Sequence, residues 1–192
     1  MSTHLSLHGF ARACGRGWLT LAACAIATAA AAQSPVRSID VAYDGETYVV
    51  KAEMFAPVNQ AIAWEVLTDF TNMAGWVPNL RESSIVKPGD KQLTIEQRGT
   101  AKFGVLSIPY TSVREIVLNP QTTIQSTQIK GSMRRQQSLM TLSTNGDGTR
   151  LQYQLEVVPN VFAAAVLSQD FLKHEIDEQF TAIVAEMIKR KK

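Results

Sequence analysis

Few residue types in this chain can do covalent or metal chemistry, and the most reactive of them crowd one end. Cys14 and Cys24 are the only cysteines, and His4 and His8 are two of the three histidines. All four fall in a stretch with the features of an export signal. Residues 1–16 carry Arg12 and Arg16 and no acid, residues 17–32 carry no charge, and the run ends in Ala30-Ala31-Ala32 before Gln33. That ending is the small-x-small pattern a signal peptidase cuts. The sixteen uncharged residues fall short of the roughly 20 that span a bilayer. Cleavage after Ala32 gives a signal peptide over 1–32, a mature domain over 33–192, and a periplasmic or secreted protein. The alternative lies in Leu21-Ala22-Ala23-Cys24, which has the form of a lipobox, with Cys24 as the acylated anchor.

The mature domain is poor in nucleophiles and metal ligands. Without Arg12 and Arg16, 17 of the 19 basic residues remain, against 17 acids, so the domain is formally neutral. It has no cysteine and one histidine, His174. Disulfides, a cysteine nucleophile, Cys-ligated zinc and any site with two histidine ligands are excluded. A neutral balance also argues against nucleic acid as the main partner, because phosphate binding needs a basic surplus.

The remaining polar candidates read as surface. His174 has Asp170 and Glu178 one helical turn away on either side, the spacing of a solvated ion pair. Glu53, Glu96, Glu115 and Glu156 fall in strand-like runs and read as ordinary exposed strand residues; Glu96 and Glu156, by alternation, face outward. Asn145-Gly146-Asp147-Gly148 lacks the lysine and following helix of a phosphate loop and reads as a hairpin turn. No catalytic residue, metal ligand or cofactor is assigned. Arg134-Arg135 and the tail from Lys189 to Lys192 suit anionic headgroups, as a peripheral membrane contact; the tail also suits the negative end of a helix, which is the preferred reading for it. Large apolar and amphipathic side chains that could line a small-molecule cavity are Trp76, Phe103, Tyr110, Met133, Met140, Tyr153 and Phe171.

Regular elements must position these residues. Asp44-Gly45 between Ile39–Tyr43 and Thr47–Phe55 signals a hairpin. Ile62, Val66 and Phe70 recur at helical spacing after Pro57 and Asn59, and a short second turn spans Asn72–Trp76. Six strand-like segments follow, from Leu80 to Val158, separated by Gly, Pro and Asn signals such as Gly99. Pro109, inside one of them, predicts an edge or a bulge. A long helix over Ser168–Arg190 closes the chain. Its apolar stripe is Leu172, Ile176, Phe180, Ile183, Val184, Met187 and Ile188, with Lys173, Glu175, Asp177, Glu178 and Glu186 off it. Strands that run together imply an α+β fold with an antiparallel sheet.

Several short motifs carry a resemblance. They are Pro57, Trp64-Glu65-Val66-Leu67, Asp69-Phe70, Trp76-Val77-Pro78-Asn79-Leu80, Glu82-Ser83, Gly148-Thr149-Arg150-Leu151-Gln152-Tyr153 and Val158-Pro159. Together they resemble the START-like (SRPBCC) superfamily, in its bacterial polyketide cyclase/dehydrase and lipid-transport branch, over residues 47–190. Met140 departs from the pattern, standing where a tryptophan is frequent. The resemblance implies a helix-grip fold. A curved antiparallel sheet of about six to seven strands would wrap the long C-terminal helix, with two short helices after the first strand. An apolar cavity would lie between sheet and helix. The function it implies is binding of a hydrophobic small molecule or lipid. The alternative is a cyclase/dehydrase-type enzyme using a cavity tyrosine or carboxylate for proton transfer. Binding is the preferred reading.

Overall fold

The computed structural model describes residues 34–191, the side chains of Phe103 and Leu106 excepted. The expected leader, with Cys14, Cys24, His4 and His8, lies outside the described residues. The elements run β1 (Val36–Tyr43), β2 (Tyr48–Ala56), α1 (Gln60–Thr68), a single 3-10 turn (Met73–Gly75) and β3 (Leu80–Lys87). Then come β4 (Gln92–Phe103), β5 (Leu106–Asn119), β6 (Thr123–Gly131), β7 (Met133–Asn145), β8 (Gly148–Pro159), α2 (Val161–Ala164) and α3 (Gln169–Arg190).

All eight described strands join one curved antiparallel sheet in the order β1-β2-β8-β7-β6-β5-β4-β3. This is the expected helix-grip architecture, and the N-terminal hairpin brings the sheet to eight strands. The hairpin closes as its Asp-Gly signal requires. Asp44 Oδ1 accepts from the amides of Glu46 at 2.9 Å and Thr47 at 2.8 Å, and Gly45 takes φ +100°. The Tyr48 hydroxyl donates to the Leu167 carbonyl at 2.9 Å, fastening β2 to the segment that leads into α3.

Side-chain caps start both larger helices. Asn59 accepts from Ile62 N on α1, and Ser168 accepts from Phe171 N on α3. α3 packs against β1, β2, β4 and α1. Its buried face is Phe171, Leu172, Ile176, Phe180, Ile183, Val184 and Met187. Ile188, expected on the stripe, is exposed, and Phe171 joins it instead. Glu175 and Glu186, expected off the stripe, are buried with it, because hydrogen bonds satisfy both carboxylates there.

Arg190 explains Glu186. It donates to Glu186 at 2.9 Å, to Asp69 at 2.8 Å and to Glu65 at 3.3 Å, while Lys191 Nζ donates to the Pro57 carbonyl at 2.7 Å. Arg190 and Lys191, in the basic tail, thus lock the end of α3 to α1 and the turn before it.

The β4–β5 hairpin is longer than its glycine suggests. Gly99 ends nothing; β4 continues through it to Phe103. A Cβ on Gly99 would stand 2.2 Å from the Asn79 carbonyl oxygen and 2.5 Å from the Tyr110 hydroxyl. Tyr110, its cross-strand partner, occupies that space. Pro109 is tolerated because β5 has outrun β6 there, whose pairing with it stops at Ser112↔Gly131.

Candidate functional site

Alternate residues of a strand share a face. On β5, Tyr110, Ser112, Arg114, Ile116 and Leu118 therefore turn together toward the concave side of the sheet, which α3 covers. Register places Gln128 of β6 directly opposite Arg114. Between this wall and α3 lies a cavity with two lobes. The outer lobe, about 210 Å³, is walled by Ile108, Met133, Leu155, Val157, Ala163, Val166, Leu167, Phe171 and Leu172, with Ser112, Gln128 and Glu175 among its polar groups. The inner lobe, about 160 Å³, is lined mainly by apolar residues such as Leu67, Phe70, Met73, Ile116, Ile124, Met140, Phe180 and Ile183. Both lobes share Gln97, Tyr110, Arg114, Tyr153, Ile176 and Gln179, which form a waist between them.

Arg114 dominates the waist. Its Nη2 donates to Gln97 Oε1, Gln97 Nε2 donates to Ser83 Oγ at 3.0 Å, and the Ser83 hydroxyl donates to the Phe70 carbonyl. This relay pins one edge of the guanidinium. Its Nε is buried without a hydrogen-bond partner, and no ion pair among the described residues includes Arg114. The residue is half-buried and lines both lobes of the cavity. Burial pulls its pKa down, opposed by the phenols of Tyr153 and Tyr110, yet a guanidinium stays charged.

The neighbouring titratable groups are tuned by the same setting. Burial pushes the Tyr153 phenol up, with Ser138 and Arg114 acting against it. Tyr153 also meets Phe180 edge to face, their ring centroids 5.0 Å apart. Burial raises Tyr110 too, helped by the charge of Glu175 and opposed by Arg114. Burial first, then repulsion from Glu178, raises Glu175, while the Lys102 amide, Gln179 and the charge of His174 act to lower it. Glu175 Oε1 accepts from Lys102 N and from Asn79 Nδ2, both at 3.2 Å. Asn79 adopts φ +64°, a left-handed geometry that asparagine tolerates better than most residues.

The structure brings five of the seven cavity candidates to these walls. Met133 and Phe171 line the outer lobe, Met140 the inner, and Tyr110 and Tyr153 the waist. Trp76 lines neither lobe; it follows the 3-10 turn and packs on the core. Phe103 ends β4, and its side chain is outside the described set. His174 is exposed on α3. Glu53, Glu96 and Glu156 bond to Arg150, Arg98 and Gln137 away from the cavity. Sequence reasoning does not single out Arg114, Gln97, Gln128 or Glu175 as cavity residues. A signal for Arg114 exists: it stands four residues after Tyr110, hence on the same face of the strand. No group of three His, Cys, Asp or Glu able to hold a metal occurs among the described residues.

Comparison with known proteins fits this geometry. The chain is similar to the Zhui aromatase/cyclase from a Streptomyces species, with a TM-score of 0.64 at 16% identity, covering 76% of this chain and 96% of that one. It is similar to a STAR-related lipid transfer protein from Xanthomonas axonopodis, with a TM-score of 0.60 at 15% identity, covering 78% and 98%. A protein from Thermus thermophilus gives a TM-score of 0.66 at 12% identity, covering 75% and 99%. At these identities the likeness concerns the fold. No curated protein sequence matches the chain. The family described as polyketide cyclase / dehydrase and lipid transport matches residues 47–187, and the chain belongs to that family.

Proposed function

We propose that this protein is an exported carrier that shields a hydrophobic small molecule or lipid between the sheet and α3. The observation that carries the reading is the two-lobed cavity with its apolar walls. Taken together, the lobes reach the roughly 300 Å³ at which small-molecule pockets begin. Burying a ligand's apolar surface there is favourable by about 25 cal/mol per Å². The name of the Xanthomonas relative, a lipid transfer protein, supports the same assignment.

We place the entrance at the end of the sheet that bears exposed apolar and basic side chains, which suits a ligand that arrives from an apolar phase. The β4–β5 turn, the β6–β7 turn and the β8–α2 connection lie at one end of the sheet, and Asn160 Nδ2 ties the last two by donating to the Ser132 carbonyl at 2.8 Å. Val105, Val161 and Phe162 stand exposed on these segments, with Lys102, Lys130 and Arg135 also exposed near them. Apolar tips beside basic side chains fit peripheral contact with an anionic membrane surface.

The test is displacement of an environment-sensitive apolar dye. The dye should bind the wild-type protein and be displaced by lipids. Ala163→Trp, which adds bulk to the lining of the outer lobe, should weaken binding without lowering Tm. Dye binding that Ala163→Trp leaves untouched would remove the cavity as the site. A second reading, proton-transfer catalysis of the cyclase type, draws on Glu175 and Tyr110, a carboxylate and a phenol that both line the outer lobe. It requires turnover that falls in Tyr110→Phe.

A further inference from the structure

We propose that the ligand of this cavity is an amphipathic monoanion, an aliphatic chain ending in one anionic oxygen head, seated with its head on Arg114. The inference rests on the reading of the cavity as a binding site and adds the chemical class of what it holds.

The argument begins with hydrogen-bond accounting. Five buried side-chain polar atoms among the described residues have no hydrogen-bond partner. Three of them, Arg114 Nε, Ser112 Oγ and Gln128 Oε1, belong to residues lining the outer lobe. They are also neighbours: Gln128 faces Arg114 across the β5–β6 ladder, and Ser112 is two residues before it on the same face. Buried polar groups are normally satisfied, so a cluster of unpartnered ones just behind a cavity wall marks where a ligand head, drawing these side chains toward the cavity, completes them.

The chemistry of the three atoms selects the head. Arg114 Nε–H is a charged donor, and the Ser112 hydroxyl can donate beside it. Both suit an anionic oxygen, and charge-assisted bonds of this kind are shorter and stronger than neutral ones. Gln128 has its orientation fixed, because Nε2 donates to the Met133 carbonyl at 2.9 Å. Its Oε1 therefore accepts, and takes an O–H from the head or from a water bound to it. The relay through Gln97 and Ser83 to the Phe70 carbonyl holds the guanidinium in place before the ligand arrives.

Charge and shape set the rest. Glu175 shares the outer lobe with Arg114 and already accepts three hydrogen bonds, from Asn79, Lys102 and Gln179. Its carboxylate would repel a second negative charge, so the head carries one. The lining of the inner lobe beyond the waist is mainly apolar. The chain enters there, and the head stays at Arg114.

Calorimetric titration of the purified protein tests this with four probes of one chain length: dodecanoate, methyl dodecyl phosphate (a singly charged phosphodiester), methyl dodecanoate and dodecanol. At least one anion should bind about tenfold or more tightly than the neutral pair, the scale of a charge-assisted hydrogen bond. Which anion wins distinguishes a carboxylate head from a phosphate one. Arg114→Met should bring the anions down to the neutral affinity. Equal affinity for anions and neutral probes in the wild type overturns the head-group assignment while leaving apolar binding intact. No binding by any of the four overturns both. An anion preference that survives in Arg114→Met overturns the role of Arg114. The wild-type comparison stands even where the variant does not fold.

Discussion

Arg114 and Gly99 show how single residues shape the cavity. A buried guanidinium held only by a neutral amide is a cost in stability, since an unpaired charge has lost its water. Arg114→Met should therefore leave thermal stability equal or raise it by about 1 kcal/mol, as replacements of buried charges often do. A scanning-calorimetry Tm well below wild type would show that the relay to Gln97 stabilises the fold. Gly99 works in the opposite direction. A Cβ there meets backbone at 2.2 Å, which no side-chain rotation relieves. Gly99→Ala should cost about 1–3 kcal/mol in chemical denaturation and weaken ligand binding by displacing Tyr110. A variant with unchanged stability would contradict the close packing of β3, β4 and Tyr110. At this scale the sequence is legible where side-chain type alone decides, as for Tyr110, Tyr153 and Met140. Spacing from Tyr110 puts Arg114 on the same strand face, but nothing local tells which face of a strand a distant helix covers. Gly99 misleads for a related reason: its function is to admit a cross-strand tyrosine, and a turn glycine looks the same.

At the scale of elements, α3 is held at both ends by different means. Its N-terminus is capped by Ser168, and its last turn is clamped to α1 through Arg190. Burial pushes the Asp69 carboxyl up, but hydrogen bonds from Arg190 and Asn72 prevail and hold it below its ordinary 3.8. Arg190 likewise holds Glu186 below its ordinary 4.5. Carboxyls depressed in the folded state stabilise it above those ordinary values, and the contribution is lost as pH falls through the depressed ones. Arg190→Met should cost about 1–2 kcal/mol at neutral pH and much less under acid conditions. Urea melts of wild type and variant across that range measure it, and a cost independent of pH would contradict the clamp. The exposed α2 gives a separate prediction. Phe162→Glu should reduce co-sedimentation with anionic vesicles several-fold and leave Tm unchanged; undiminished binding would exclude α2 from the membrane contact. The long helix and the run of strands are legible from periodicity and turn residues. The clamp is not, since Asp69 and Arg190 are far apart in sequence and only the fold joins them.

For the molecule as a whole, a helix with a long apolar stripe and a run of strands leave one arrangement in which both faces are buried. The strand run implies an antiparallel sheet, and the motifs from Pro57 to Pro159 narrow it to the helix-grip fold. A cavity is beyond such reading, because a void is a difference between two packed surfaces and no single residue encodes it. Reading residues 1–32 as an export signal puts the proposed carrier outside the cytoplasm, and sequencing the N-terminus of the exported protein should find Gln33. The central claim is that the space between sheet and α3 carries an aliphatic ligand. Mass spectrometry of organic extracts from protein purified out of its native compartment tests that most directly. The account predicts a co-purifying aliphatic amphiphile in near-stoichiometric amount, depleted in Ala163→Trp. Extracts with no such molecule, or with the same amount in the plugged variant, would contradict it.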